Sequence, residues 1–111
     1  MTRMTGRAVQ ILLALVEGPL HGYGIKSSVE ARTDGAIRLG SGTLYAAIDR
    51  LVAQRLIEEV AGPIEARSGG PDRRYYALTI EGRNVLTEEL RRMERTIAYA
   101  RAQKLLGESP S

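Results

Sequence analysis

The segment Gly40-Ser41-Gly42-Thr43 places two hydroxyl side chains between glycines, directly before a regular apolar pattern. We expect Ser41 to be the N-cap of a helix, because a serine hydroxyl accepts a hydrogen bond from a backbone N–H that otherwise lacks a partner. The small residues would let the backbone approach a phosphate closely, whereas the alternative for Ser41 is a cap alone. Thr43 could also touch a base edge or a thymine methyl group. The segment therefore predicts a surface that contacts a nucleic-acid duplex.

Tyrosine and arginine side chains supply further phosphate-binding chemistry. Tyr45 could donate a hydrogen bond to a phosphate, or it could be a half-buried packing residue with its hydroxyl in water. Arg73 and Arg74 open a predicted strand, where cations can meet phosphates or a narrow minor groove. The alternative for these two arginines is a solvent-exposed strand edge paired with Asp72 and Glu59.

The composition argues against catalytic and membrane functions. The chain has 111 residues, no cysteine and one histidine, His21, which we expect to bond to backbone at a helix start. Without a second histidine, a thiol or a paired-acid motif, we expect no enzyme activity, no metal and no cofactor. The longest apolar run, Ile11–Val16, is far shorter than the ~20 residues that cross a bilayer, so no membrane partner is expected. The first residues lack a secretion signal, which predicts a cytoplasmic protein.

The charge of the chain permits a polyanionic partner without requiring one. The formal net charge is +3. Hydrophobic residues make up 43% and charged residues 26%, a balance that excludes disorder over most of the length. No segment is a basic arm, so contact with nucleic acid must depend on where individual arginines point.

Positioning these residues requires a scaffold, and the apolar periodicity predicts helices with a β-hairpin. The predicted elements are helices over Arg7–Val16, Gly22–Arg32 and Gly40–Gln54, strands over Leu56–Ala61 and Arg73–Thr79, and a final helix over Ile80–Leu106. The stretch Gly62–Asp72 between the strands is rich in loop formers. Within the second strand, Tyr76 is expected in the core and Tyr75 on the surface. This order predicts a mainly α (α+β) fold, a winged helix-turn-helix.

In a winged helix-turn-helix, the third helix lies in the major groove, the second crosses the backbone, and the hairpin loop, or wing, reaches flanking DNA. Double-stranded DNA is therefore the predicted partner. The candidate DNA-binding residues are Lys26, Ser27, Ser41, Gly42, Thr43, Tyr45, Arg50, Arg67, Arg73, Arg74 and Tyr75. Arg67 is expected at the tip of the wing, and simple solubility is the alternative role for Lys26.

The final predicted helix carries its apolar residues in a seam. Leu86, Leu90, Met93, Ile97 and Ala100 are spaced 4, 3, 4 and 3 residues apart, the heptad pattern of helices that pair. A helix of roughly 40 Å cannot be covered by the residues before it, so we expect a homodimer. The chain is therefore expected to divide into a DNA-binding domain (1–79), a dimerisation helix (80–106) and a flexible tail (107–111).

Three blocks of the sequence resemble the PadR-like transcriptional regulators. Leu13–Ile25 is similar to the junction of that family's first two helices, and Ser41–Tyr45 to the start of its recognition helix. Gly70–Thr79, followed by Gly82-Arg83, is similar to its wing and the start of its dimerisation helix. The likeness covers about residues 8–92 and departs from the family at Ala46, where proline is common.

The resemblance implies a homodimer that represses transcription by binding a pseudo-palindromic operator. It also implies an interface between the first and last helices, which adds Leu12 to the seam. Several members release DNA when a small molecule enters this interface, so the resemblance implies a small hydrophobic effector there. Tyr23, Leu12, Leu13 and Met93 could line such a pocket, with ordinary packing as the alternative. The chain lacks Trp and Phe, the residues on which drug-binding members stack flat ligands.

Two other functional classes are alternatives. A winged-helix protein–protein interaction module without DNA binding would fit the modest net charge and the acidic pair Glu58-Glu59. Such a module would bind its partner independently of salt, whereas DNA affinity falls steeply as salt rises. An enzyme would require a cofactor that the sequence does not indicate.

Overall fold

The computed structural model describes residues 4–63 and 74–107. Within these residues there are four helices and three strands. The helices are α1 (Gly6–Ala14), α2 (Gly22–Arg32), α3 (Ser41–Ala53) and α4 (Ile80–Ala102), and the strands are β1 (Leu20–His21), β2 (Ile57–Val60) and β3 (Tyr75–Leu78). The predicted mainly α (α+β) fold with three helices, a hairpin and a long last helix is confirmed.

One hydrophobic core joins the first three helices to the sheet. α1 is apolar around most of its circumference and contributes Ile11 and Leu12, both fully buried. Ile25 and Val29 come from α2 at a spacing of one helical turn, and Ile48 comes from the middle of α3. Because its inner face is anchored in this core, α3 must present its opposite face to solvent.

Side chains cap α1, α2 and α4 at their N-termini. The hydroxyls of Thr5 and Thr79 accept hydrogen bonds from the backbone at the starts of α1 and α4. The Nδ1 atom of His21 accepts a hydrogen bond from the Gly24 N–H at 2.9 Å. The predicted role of His21, a bond to backbone at a helix start, is confirmed, and this bond requires that Nδ1 carries no proton.

The three strands form one antiparallel sheet in the order β1–β3–β2. β2 pairs with β3 from Ile57 opposite Leu78 to Val60 opposite Tyr75, which forms the predicted hairpin. The sequence does not predict β1, because a strand of two residues is too short to show an alternating pattern. Tyr76 is buried, as predicted.

α4 begins in the core and then leaves it. Leu86 is buried, whereas Met93 and Ile97 are 37% and 45% exposed. The helix ends at Ala102, short of the predicted end, because Lys104 has a left-handed backbone (φ 63°) that does not continue a helix. Its outer half therefore carries apolar side chains that the described chain does not cover. Within the described ranges, no helix has the length and apolar character to span a membrane.

Candidate nucleic-acid interface

α3 turns one face into the core and the other to solvent. Leu44, Ile48 and Leu51 are buried on its inner face. The predicted contact residues of this helix are all exposed: Ser41, Gly42, Thr43, Tyr45 and Arg50. The front of α3 therefore offers hydroxyl groups and small residues to a partner, which is the arrangement that close contact with a phosphate requires.

The N-cap of α3 is Gly40, and the prediction that Ser41 is the cap is wrong. Gly40 is extended (φ −66°, ψ 159°), and its carbonyl accepts a hydrogen bond from the Leu44 N–H at 2.8 Å. Glycine is only about a few tenths of a kcal/mol worse than serine as an N-cap, so local preference does not separate the two residues. No side chain of the described residues caps this end, so the first N–H groups of α3 have no side-chain acceptor there. Ser41, the first residue of the helix, is exposed.

The ring of Tyr45 packs against the start of α2 while 42% of the residue remains exposed. A Cβ atom built on Gly22 would lie 2.6 Å from the Tyr45 hydroxyl oxygen and 3.0 Å from Cζ. The ring therefore occupies the space that the missing side chain of Gly22 leaves. This contact fixes the position of the tyrosine at the front of α3.

We expect Gly22→Ala to displace Tyr45 without unfolding the chain. The new methyl group would meet the far end of a flexible side chain, and alanine is a better helix former than glycine. If the Tyr45 hydroxyl binds DNA, Gly22→Ala weakens binding about fivefold, equivalent to ~1 kcal/mol for one hydrogen bond. A double-mutant cycle with Tyr45→Ala measures this, because the glycine change should then have no further effect. Equal losses with and without the tyrosine would show that the methyl group acts elsewhere.

α2 is held against α1 by Arg32 at its C-terminal end. The guanidinium donates to the Gln10 side chain at 3.0 Å, to the Gln10 backbone carbonyl at 2.6 Å and to the Ser28 hydroxyl at 3.0 Å. Of the predicted contacts on α2, Ser27 is exposed and Lys26 is half-buried. The hydrogen bonds of Arg32 fix how α2, and with it these two side chains, lies against α1.

The predicted wing contacts have different environments. Arg74 is exposed just before β3. Tyr75 is half-buried and not on the surface as predicted, because its ring packs edge-on against His21 with the centroids 5.3 Å apart and the planes at 74°. Arg67 and Arg73 lie outside the described residues. Within the described part of the wing, Arg74 is thus the exposed cation.

The charged groups around Tyr76 come from α3, from β2 and from the residue before β3. Burial raises the pKa of the Tyr76 phenol above its usual value, and Glu59 and Asp49 raise it further, whereas Arg74 lowers it. Of the two carboxylates, that of Glu59 belongs to the residue paired with Tyr76 across the sheet. The alternative pairing of Arg74 with Glu59 is not formed among the described residues.

The other flank of α3 borders a groove of about 570 Å³, here named the α1–α3 groove. Its walls include Thr5, Gly6 and Arg7 at the start of α1, and Thr43, Ala46 and Arg50 on α3. Sequence reasoning missed Arg7, since a lone basic residue before an apolar pattern carries no signal of its own. The groove forms only when two helices distant in sequence pack together.

The predicted dimer seam includes two residues that the chain buries by itself. Leu12 is 0% exposed and Leu86 is also buried, both in the core of the single chain, so neither is available to a partner. The heptad pattern does not separate residues that bury against the chain's own core from those that bury against a second copy. The part of the seam that is at least partly exposed consists of Leu90, Met93, Ile97 and Ala100.

The described residues contain no cluster of three or more histidine, cysteine, aspartate or glutamate side chains that could hold a metal ion. The chemistry that this surface offers comes from hydroxyl, backbone N–H and guanidinium donors. These groups match the acceptor oxygens of phosphates and the edges of bases.

Comparison with known proteins agrees with this chemistry. Residues 11–88 match the family model of the transcriptional regulator PadR-like family. The chain belongs to the PadR-like family. The predicted resemblance is thereby confirmed, and this family consists of transcriptional regulators and not of enzymes. The description of this family model is that of a transcriptional regulator.

Two solved structures share the fold of this PadR-like chain. A PadR family transcription regulator from Clostridium difficile has a TM-score of 0.66 and 27% identity, covering 93% of this chain and 100% of that one. F93 from STIV, a winged-helix DNA-binding protein, has a TM-score of 0.64 and 26% identity, covering 86% of this chain and 95% of that one.

A relative from Streptomyces fradiae is considerably longer than this PadR-like chain. It is an uncharacterized 37.1 kDa protein in transposon TN4556, and it is 40% identical over 85 residues. The matched part is 77% of this chain but 22% of the relative. The chain therefore spans about a fifth of the length of that protein.

Proposed function

We propose that this PadR-like chain is a homodimeric repressor that acts in the cytoplasm on a pseudo-palindromic operator in double-stranded DNA. The observation that carries the proposal is the front of α3, with exposed hydroxyls on Ser41 and Thr43 and a first turn that no described side chain caps. F93 from STIV, which shares the fold, is itself a DNA-binding protein. In this proposal α3 enters the major groove.

The roles of the contact residues follow from their positions. Ser41, Gly42 and the first turn of α3 bind phosphate, while Thr43 touches a base edge. The remaining proposed contacts to the DNA backbone or to the flanking groove are Lys26, Ser27, Tyr45, Arg50, Arg67, Arg73 and Arg74. Tyr75 packs against His21 and would act by supporting the wing.

Two copies pair through the exposed part of α4 in this proposal. Pairing would place the two α3 helices about 34 Å apart, one turn of DNA, on a two-fold symmetric site. A groove of about 390 Å³ along α4 is where a small hydrophobic effector would bind. Its apolar lining is Met4, Met93 and Ile97, and its polar lining is Glu89, Arg92 and Thr96. An effector there would act on pairing and not on α3 directly.

Thr43→Ala and Arg74→Ala should affect DNA binding in different ways. Removal of a base contact is expected to relax the preference at one base pair by about 1–3 kcal/mol, whereas removal of a phosphate contact weakens all sequences alike. The measurement is competition binding at fixed salt, with a duplex enriched from a random pool by the parent protein against random-sequence duplex.

Thr87→Ala is the matched control for Thr43→Ala. Thr87 is an exposed threonine on α4, a different helix, and its hydroxyl donates to the Arg83 carbonyl at 2.8 Å. If both test variants hold DNA as tightly and as selectively as this control, the contact assignment is wrong. A parent protein that binds no duplex at low salt, but captures a protein partner independently of salt, would replace the proposal with the interaction-module function.

A further inference from the structure

The α1–α3 groove is positively charged. Arg7 stands on its α1 side and Arg50 on its α3 side, and none of the described residues that line it is acidic. Neither arginine forms an ion pair within residues 4–63 and 74–107. Both are exposed, so their guanidinium groups are accessible to an anion.

The two flanks of α3 therefore differ in charge. The flank toward the sheet has mixed charge: Glu59 lies opposite Tyr76 in the β2–β3 pairing, and the exposed Asp49 and Arg74 also act on the Tyr76 hydroxyl. A phosphate chain running along that flank would meet two carboxylates as well as Arg74. One running along the α1–α3 groove would meet arginines, hydroxyls, small side chains and Ile37, with no carboxylate among the described lining residues. Gly6 and Ala46 narrow the groove little, because neither carries a side chain longer than a methyl group.

We propose that the α1–α3 groove holds the sugar–phosphate backbone of one DNA strand, and that Arg7 binds a phosphate there opposite Arg50. This inference rests on the proposed function and adds α1 to the DNA-binding surface. The planar guanidinium of Arg7 donates two parallel N–H bonds to a phosphate, a geometry that lysine cannot reproduce. The contact carries no sequence information, so its effect is the same on every duplex.

The experiment measures binding of the full chain to a labelled random-sequence 30-base-pair duplex between about 50 and 200 mM salt. Arg7→Ala is expected to weaken binding severalfold at the lower salt and to reduce the slope of log affinity against log salt by about 0.9 for each phosphate that the variant no longer neutralises. Arg7→Lys should keep the slope near that of the parent while binding less tightly. Circular dichroism of each variant shows that the fold is unchanged.

Arg101→Ala is the charge-matched control. Arg101 is exposed in the last turn of α4, about 30 Å along that helix from its start. Its replacement by alanine should leave the affinity for DNA and the salt slope unchanged. If Arg7→Ala behaves like this control while Arg74→Ala binds more weakly, the groove proposal is overturned and the proposed function stands. If the parent protein binds no duplex at the lowest salt, both are overturned.

Discussion

Replacing Gly82 with alanine is expected to destabilise the fold by about 3 kcal/mol, the upper part of the range for an overpacked core. Gly82 is buried in the first turn of α4, and a Cβ atom built on it would overlap the backbone carbonyl oxygen of Leu56. That oxygen cannot move easily, because it belongs to the backbone and accepts a hydrogen bond from the Thr79 N–H at 3.1 Å. No rotamer change relieves the overlap, so α4 must shift away from the chain that follows α3.

Urea unfolding followed by circular dichroism measures this loss of unfolding free energy. In a thermal scan, Gly82→Ala should lower the midpoint of unfolding by roughly 10 °C or more. Gly42→Ala is the matched control, because a Cβ atom there meets nothing within 4 Å and alanine favours a helix. The thermal midpoint of the Gly42→Ala control should equal that of the parent or lie slightly above it. A Gly82→Ala protein that matches the control would contradict the packing of α4 against Leu56.

The helices could be predicted closely because their signals are local. The pattern over Gly22–Arg32 matches α2 at both ends, and the predicted start of the last helix at Ile80 matches that of α4. The role of Gly82 could not be predicted, since it depends on a backbone carbonyl more than twenty residues earlier. Gly40 and Ser41 are both adequate caps, so the sequence alone could not place the first residue of α3.

The exposed face of α3 could also be predicted, because the apolar stripe of Leu44, Ile48 and Leu51 leaves only one face for a partner. The α1–α3 groove could not, since Arg7 and Arg50 meet only through the packing of two helices. The same limit explains why Leu12 was expected in the dimer interface although the single chain buries it. A pattern of apolar residues indicates that a side chain is buried, but it does not indicate whether the same chain or a second copy covers that side chain.

The Ile97→Glu variant is expected to be a folded monomer. Ile97 is 45% exposed on the outer half of α4, so a carboxylate there is solvated in the single chain and leaves its fold intact. In the proposed dimer, the symmetric pair would bring two unpaired charges into an apolar seam. Burial of unpaired charge costs several kcal/mol, so dimerisation should weaken by about 3 kcal/mol or more, over a hundredfold in dissociation constant.

Analytical ultracentrifugation distinguishes a dimer of about 24 kDa from the 12.1 kDa chain. Tyr99→Glu is the matched control, because Tyr99 is a large exposed side chain two residues from Ile97 and therefore about 200° around the helix from the seam. The control should remain a dimer, and Met93→Glu should dissociate as Ile97→Glu does. Loss of pairing should also lower affinity for a two-fold symmetric duplex, because each half-site is then bound separately. A dimer that survives both seam substitutions would mean that α4 pairs through another face, or that copies of this chain meet elsewhere.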